Sequence, residues 1–237
     1  MPVYSSLFVP IDDLDAATRE AMLEIFLRHY AETDAATFRK DLREKNEVQL
    51  LHADGSLVGF STLLHYFFDW QGQRRQIVFS GDTVVSREHW GQQRLAADWL
   101  AHMGERLRRQ PETPLYWFLI VKGHRTFRYL DVFARSYFPG KENGDVELAP
   151  LAAALARQRF GDCYDAERGL LIFPPGHGCL AADIAEPTAA ECRKPAVQDF
   201  LQRNPSYRRG DELVCLCRLH ADNLQPLARR FFAGKRI

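Results

Sequence analysis

The 237-residue sequence lacks an excess of either charge, because 31 lysine and arginine residues balance 31 aspartate and glutamate residues. A protein without net charge has no long-range field that attracts nucleic acid or an anionic membrane, so we expect small molecules or proteins as partners. The sequence also lacks an apolar run long enough to cross a bilayer, and its first 15 residues lack the pattern of a signal peptide. These absences predict a cytoplasmic protein without a membrane span.

Cysteines are few, odd in number and confined to the last third of the chain: Cys163, Cys179, Cys192, Cys215 and Cys217. No Cys-x-x-Cys pair is present, so we expect no metal site and interpret these residues as buried apolar thiols. Cys179 lies two residues after His177 in the glycine-rich segment PPGHGC. This segment leaves a cysteine or histidine enzyme open as a further hypothesis.

Hydrophobic periodicity predicts an α/β protein with a mixed sheet. Helices are predicted over residues 14–30, 34–43, 95–107 and 124–134, and strands over residues 48–52, 57–68, 76–85 and 115–121. The apolar run 115–121 (LYWFLIV) is typical of a central strand covered on both faces. The helix at 34–43 is opened by Thr33 or Asp34 as N-cap.

The segment 140–145 (GKENGD) is polar and rich in glycine, and marks a boundary or a long loop. Beyond it we predict helices over residues 148–158, 195–202 and 221–232, and strands over residues 169–173 and 212–219. The chain is therefore divided into a core, residues 1–139, and a C-terminal extension, residues 140–237, that packs on the core.

The segment 76–107 is the most informative part of the sequence, because an apolar strand passes through a short turn into an amphipathic helix. The turn contains one glycine, Gly91. The N–H groups of a first helical turn have no intrahelical partner and lie at the positive end of the helix dipole. This junction therefore predicts an anion site, with Arg94 or Arg87 assisting. Arg125, at the start of a later helix, could also bind an anion, although a solvated first turn is the commoner role there.

The order of elements over residues 14–138 resembles that of the GNAT superfamily of acyl-CoA-dependent N-acyltransferases. Residues 85–95 (VSREHWGQQRL) resemble its motif A, in which a strand ends in Val-x-Pro-x-x-Arg-Gly-x-Gly-x-Gly or Ala. Val85 and Gly91 match this pattern in register. Trp90 replaces the usual basic residue, and Gln93 and Leu95 replace two small residues. The extension is similar to that of N-acyl amino acid synthases in size and element order.

The resemblance implies a GNAT-like fold with helices on both faces of the sheet, a C-terminal α/β extension, and a V-shaped splay between strand 76–85 and strand 115–121. It also implies an acyl donor, either acyl-CoA or acyl-phosphopantetheine on an acyl carrier protein, and a small-molecule amine as acceptor. The expected donor-binding residues are Val84, Val85, Arg87, Trp90, Gly91, Gln92, Gln93, Arg94 and Leu95. Because Gln93 could crowd a pyrophosphate, a catalytically inactive binding or partner domain is the alternative.

Asp82 is the first candidate for the general base, because a carboxylate inside an apolar strand has a raised pKa if it is buried. Gly81, beside it, is expected to mark a β-bulge. Asp82 could instead pair with an arginine or cap the turn. His65 is the second candidate, although a lone strand histidine is more often a core or rim residue.

Tyr129 occupies the position at which the GNAT resemblance implies a proton donor to the departing thiolate. Packing of the helix explains Tyr129 equally well, and Tyr137 is a competing choice. Asp98 and His102 are spaced i, i+4 and are expected to form a surface pair.

Overall fold

The computed structural model describes residues 2–140 and 146–235. The strands are β1 (Tyr4–Pro10), β2 (Tyr30–Ala31), β3 (Glu47–Ala53), β4 (Ser56–Trp70), β5 (Gln73–Val85), β6 (Leu115–Val121), β7 (Tyr164–Asp165), β8 (Leu170–Leu171), β9 (Cys179–Leu180) and β10 (Glu212–Arg218). The helices are α1 (Ala16–His29), α2 (Ala35–Arg43), α3 (Arg94–Arg109), α4 (His124–Phe133), α5 (Leu148–Phe160), α6 (Ala182–Ala185), α7 (Pro195–Arg203) and α8 (Pro226–Phe232).

The main sheet has eight strands in the order β1-β3-β4-β5-β6-β10-β8-β7, and β2 pairs with β9 in a small second sheet. Strands β5 and β6 run parallel, whereas the other neighbouring strands of the main sheet are antiparallel. The sheet is therefore mixed, as predicted.

Strands β5 and β6 separate towards one end. Their pairing runs from Gln76 and Leu115 to Ser80 and Leu119. Beyond Ser80, β5 continues to Val85 and pairs with β4 alone. The predicted neighbours and the predicted splay between them are thus confirmed.

Helices cover both faces of the sheet. On one face, α3 and α4 bury alternate residues of β6, such as Trp117 and Leu119. On the other face, α5 packs on the intervening residues Tyr116 and Phe118, and α1 and α2 pack on Val84 of β5. The predicted two-faced arrangement is confirmed.

Local sequence sets the helix starts. The Asp15 carboxylate accepts a hydrogen bond from the Thr18 N–H, and the Asp34 carboxylate accepts one from the Thr37 N–H. These bonds satisfy N–H groups that have no partner within the helix. Of the two predicted N-caps for α2, the structure therefore selects Asp34.

Residues after 146 extend the same sheet. Strand β10 pairs with β6 along its length, and α5 covers β10 on one face. Cys215 and Cys217 are buried on the α3 and α4 side, as expected of apolar thiols, whereas Cys163 and Cys192 are only half-buried, contrary to that expectation. Most of the predicted boundary segment, residues 141–145, lies outside the described residues.

Several features differ from the sequence predictions. The closing helix, predicted over residues 221–232, begins only at Pro226. The short elements β2, β7, β9 and α6 were not predicted. The edge strand β1 was not predicted, because its exposed and half-buried residues give no clear apolar face. Asp98 and His102 do not pair with each other: Asp98 binds Ser6 and Arg94, while His102 binds Glu47. Within the described ranges, no helix is both long and apolar enough to span a membrane.

Candidate functional site

A β-bulge lies at the point where β5 leaves β6. Ser61 pairs with Thr83 and Leu63 pairs with Ser80, so Gly81 and Asp82 together face Thr62. The extra residue reverses the alternation of side chains along the strand. Asp82 and Val84 therefore share the α1 and α2 face with Phe79, which lies before the bulge.

Glycine is required at the bulge because the neighbouring side chains fill the space. A Cβ atom on Gly81 would lie 2.6 Å from Lys45 Cε and 2.6 Å from Thr62 Oγ1. The Lys45 side chain is fully buried and holds the Asp41 carboxylate at 2.6 Å. Gly81 thus lets β5 approach this ion pair and places the next residue, Asp82, beside it.

Asp82 faces a cavity of about 440 Å³ between β5, the α1–α2 connection and the C-terminal part of the chain. We call it the carboxylate cavity, because four carboxylates line it. These are Asp41, Glu44, Asp82 and Glu212. Its wall also includes the aromatic side chains Phe26, Tyr30, Phe38, Phe79, Phe160 and Phe173.

Two ammonium groups balance part of the negative charge in this cavity. Lys45 holds Asp41, and Lys122 Nζ lies 3.3 Å from Glu212 Oε1. The Lys122 ammonium also lies over the Tyr30 ring, 5.3 Å from its centroid. Both ammonium groups are thus already paired with a carboxylate other than Asp82.

Burial raises the pKa of Asp82 to about 7, and the negative charge of Asp41 adds to the shift. The Lys122 and Lys45 ammonium groups and the Tyr30 hydroxyl act in the opposite direction and do not cancel it. A carboxyl group with this pKa exchanges a proton near neutral pH, which is what a general base requires.

A second cavity, of about 400 Å³, lies between the end of β5, the turn around Gly91 and the start of α4. We call it the turn cavity. Five of the predicted donor-binding residues line it: Val84, Val85, Trp90, Gly91 and Gln92. Helix α4 adds two cations, Arg125 and Arg128, of which Arg125 lies 3.2 Å from the Glu191 carboxylate.

Four predicted donor-binding residues do not line the turn cavity. Arg87 lies 3.4 Å from Asp183, and Arg94 lies 2.6 Å from Asp98. Gln93 is exposed at the N-cap of α3, and the Leu95 side chain is buried in the core.

The turn already satisfies part of its own hydrogen-bonding capacity. Trp90 N–H donates to the Arg87 carbonyl, Gln92 N–H donates to the His89 carbonyl at 3.4 Å, and Leu95 N–H donates to the Gln92 side chain at 3.1 Å. Three of the N–H groups predicted to bind an anion are thus bonded within the chain. The Gln92 side chain occupies the place at the start of α3 where a phosphate was expected.

The edge of β5 that faces the splay exposes its backbone to the cavities. Ser86 N–H bonds to the Val58 carbonyl of β4. In an antiparallel pair of strands, residues that hydrogen-bond to the neighbouring strand alternate with residues that do not. Since Ser86 bonds to β4, the N–H and C=O groups of Thr83 and Val85 point away from β4. The Val85 carbonyl is occupied, since it accepts bonds from His29 Nε2 and Trp90 Nε1, each at 2.8 Å.

The splay connects the two cavities. A small cavity between β5 and β6 shares Gly81 and Ile120 with the carboxylate cavity and Tyr129 with the turn cavity. Thr83 and Thr126 line all three. Burial raises the pKa of Tyr129, so its hydroxyl remains protonated at neutral pH.

The other candidates lie elsewhere. His65 is on the α3 face of the sheet and binds Glu47, and Tyr137 is buried in the core and donates to Asp131. Cys179 is buried and pairs with Ala31, and burial raises the pKa of its thiol. A buried thiol with a raised pKa is a poor nucleophile, so the cysteine hypothesis gains no support.

Sequence reasoning missed Tyr30, Asp41, Lys122 and Glu212, which surround Asp82. They lie in β2, in α2, after β6 and at the start of β10, respectively. No short motif joins positions so far apart. A weak signal was available, since Lys122 follows directly after an apolar strand and Glu212 begins one.

No protein-family model and no curated protein sequence matches the chain. A probable N-acyltransferase from Enterococcus faecalis is 14% identical over 57% of this chain and 33% of its own, with a TM-score of 0.41. A GCN5-related N-acetyltransferase from Kribbella flavida is 15% identical over 56% of this chain and 34% of its own, with a TM-score of 0.40. A GNAT family N-acetyltransferase from Escherichia coli, in complex with CoA, is 17% identical over 56% of this chain and 71% of its own, with a TM-score of 0.38.

This chain thus spans about a third of the first two proteins. Similarities at this level of identity and TM-score add no argument about function. The GNAT-like fold rests on the chain's own architecture, which combines the predicted order of elements, the parallel pairing of β5 with β6 and the splay beyond Ser80.

Proposed function

We propose that this protein is an N-acyltransferase that moves an acyl group from a thioester donor to a small-molecule amine. One observation carries the proposal: two cavities meet at the splay beside Asp82, a carboxyl group whose pKa of about 7 suits a base. The turn cavity would hold the donor, and the carboxylate cavity would hold the amine.

The residues of the turn cavity fit a phosphopantetheine group, carried by coenzyme A or by an acyl carrier protein. The outward-facing backbone of Thr83 and the N–H of Val85 would bind its amides. Arg125 and Arg128 would bind its phosphate. Because the Gln92 side chain already accepts a hydrogen bond from the Leu95 N–H and Leu95 is large, the turn itself would contribute little, and we expect weak donor binding. The donor supplies the thioester carbonyl that the amine attacks.

In the carboxylate cavity, an amine enters as its ammonium ion and Asp82 accepts a proton from it. The neutral nitrogen then forms a bond to the carbonyl carbon, and the bond from carbon to sulfur breaks. Tyr129, which lines the splay and the turn cavity, donates a proton to the departing thiolate, and the second proton that the nitrogen loses as the amide forms restores the Tyr129 hydroxyl. A correctly placed base contributes a factor of about 10² to 10⁴ to the rate.

Donor binding is tested first, by thermal unfolding with acetyl-CoA, a long-chain acyl-CoA, free coenzyme A and an acyl carrier protein. A ligand at about 100 times its dissociation constant adds about 2.7 kcal/mol to the free energy of unfolding. Turnover is then measured as thiol release, with mass spectrometry of the product from a mixed pool of primary amines.

Amide products that form with the wild type and not with Asp82→Asn would support the proposal. Donor binding without turnover would favour the alternative, a catalytically inactive GNAT-like domain. The internal hydrogen bonds of the turn are the observation that favours this second function.

A further inference from the structure

A second group of polar side chains lies outside both cavities, on the face of the sheet covered by α3. Glu47 Oε2 lies 2.9 Å from His65 Nε2 and 2.8 Å from His102 Nε2. The ligand atoms of the three residues all lie within 4.8 Å of one another. We call this the Glu-His-His cluster.

The fold positions each member of the cluster separately. Glu47 and His65 lie on the paired strands β3 and β4, and the Asn46 side chain binds both the N–H and the C=O of His65, at 2.7 and 3.1 Å. The His102 ring stacks on Phe8 with centroids 3.9 Å apart. The three side chains are therefore held in place by two strands, a helix and a stacking contact.

We propose that the Glu-His-His cluster binds a divalent transition-metal ion of the zinc class, independently of the acyltransferase proposal. Two imidazole nitrogens and one carboxylate oxygen are a ligand set that Zn²⁺ accepts, with a fourth position left for water. Bonds of about 2.0–2.1 Å in a tetrahedron place ligand atoms about 3.3 Å apart. The observed contacts to Glu47 need to open only slightly to reach that separation.

Both histidines face the Glu47 carboxylate through Nε2. A metal ion bound between the three side chains would take the place of these Nε2 protons, so each imidazole would carry its proton on Nδ1.

Two features weaken the cluster as a metal site. The Arg106 guanidinium is close enough to Glu47 to interact with it electrostatically. His65 Nδ1 is buried and has no hydrogen-bond partner within the described part of the chain, whereas metal-bound histidines usually donate from their second nitrogen. We therefore expect an affinity of about micromolar rather than the nanomolar affinity of a structural zinc site.

The test is isothermal titration of the full chain with ZnCl₂, supported by the absorption spectrum of the Co²⁺ form. We expect one equivalent of Zn²⁺ with a Kd of about 1 µM and a tetrahedral Co²⁺ spectrum. Glu47→Gln and His102→Asn should each weaken binding at least about tenfold, while the exposed control His220→Asn should not. Circular dichroism checks that each variant is folded.

Arg106→Gln separates a built site from adventitious binding. It removes the cation that opposes the metal, so it should tighten Zn²⁺ binding several-fold. The absence of binding by the wild type at millimolar Zn²⁺ would overturn the proposal. So would binding that neither Glu47→Gln nor His102→Asn weakens, or that Arg106→Gln leaves unchanged.

Discussion

The indole N–H of Trp117 donates a hydrogen bond of 2.9 Å to the hydroxyl of Ser80, at the last residue pair before β5 and β6 separate. Both residues are buried. This side-chain bond joins the strands where backbone pairing ends. It therefore fixes the closed end of the splay on which both cavities depend.

Ser80→Ala should destabilise the protein, because it leaves the buried indole N–H without an acceptor. An unsatisfied buried donor lowers the free energy of unfolding by about 1–3 kcal/mol. Urea unfolding would show this loss as a lower midpoint concentration. Adding Trp117→Phe to Ser80→Ala removes the donor as well. The double variant should therefore lose less stability than the sum of the losses of Ser80→Ala and Trp117→Phe measured separately. Strictly additive losses would show that the bond contributes nothing.

Gly81→Ala should also destabilise the protein, because its Cβ would lie 2.6 Å from Lys45 Cε and from Thr62 Oγ1. Overpacking of this kind typically costs about 1–3 kcal/mol. The second variant, Gly81→Ala with Thr62→Ala, removes one of the two clashes and should recover part of the loss in urea unfolding. A Gly81→Ala protein of unchanged stability would mean that the bulge has room for a side chain.

Gly91→Asp should weaken donor binding, because it places a carboxylate on the turn cavity, where the proposal expects phosphate. The matched control is Gly91→Asn, which has the same size and the same positive φ of 89° without the charge. We expect the aspartate variant to bind acyl-CoA at least about tenfold more weakly than the asparagine variant. Equal affinities in titration calorimetry would move the phosphate away from this turn.

Asp82→Asn should lower turnover by a factor of about 10² to 10⁴ while donor affinity is retained, because the amide keeps the shape of the carboxyl group and cannot accept the proton. In the wild type, kcat/KM should rise with pH through about 7, the pKa of Asp82, as the base becomes ionised. The exposed control Asp12→Asn should change neither quantity. Full activity in Asp82→Asn would exclude Asp82 as the base.

The fold was predictable because its main elements have strong local signals. Strand β6 was predicted with the observed bounds, since LYWFLIV is an unbroken apolar run before the helix at His124. Helix α3 was predicted from its stripe of Leu95, Trp99 and Met103. Strand β10 was also predicted, but its insertion beside β6 was not, because strand order depends on contacts distant in sequence.

The candidate site was predictable only where one residue contrasts with its neighbours. Asp82 stands out as a carboxylate in an apolar strand, and Gly81 beside it marks the bulge. Lys122 and Glu212 gave no comparable signal, because they come together only when β6 pairs with β10. The hydrogen bond from Leu95 N–H to Gln92 also escaped prediction, since it depends on the conformation of the turn rather than on residue type.

The final prediction concerns the pH dependence of stability. It distinguishes Asp82 as a general base from Asp82 as a structural ion-pair partner. Its folded pKa of about 7 lies above the ordinary value of 3.8, so the folded state binds the extra proton between these values. Stability therefore falls as pH rises from about 4 to 7, and the cost of the buried charge is fully present above pH 7.

Asp82→Asn removes that charge, so it should be more stable than the wild type at pH 8 and nearly equal to it at pH about 4, where Asp82 is protonated. The measurement is urea unfolding of both proteins across this range, with Asp12→Asn as a control that should not show the trend. If Asp82→Asn were less stable than the wild type at pH 8, the Asp82 carboxylate would be stabilised by Lys45 and Lys122. Asp82 would then be a structural ion-pair partner, and the base would have to be sought elsewhere.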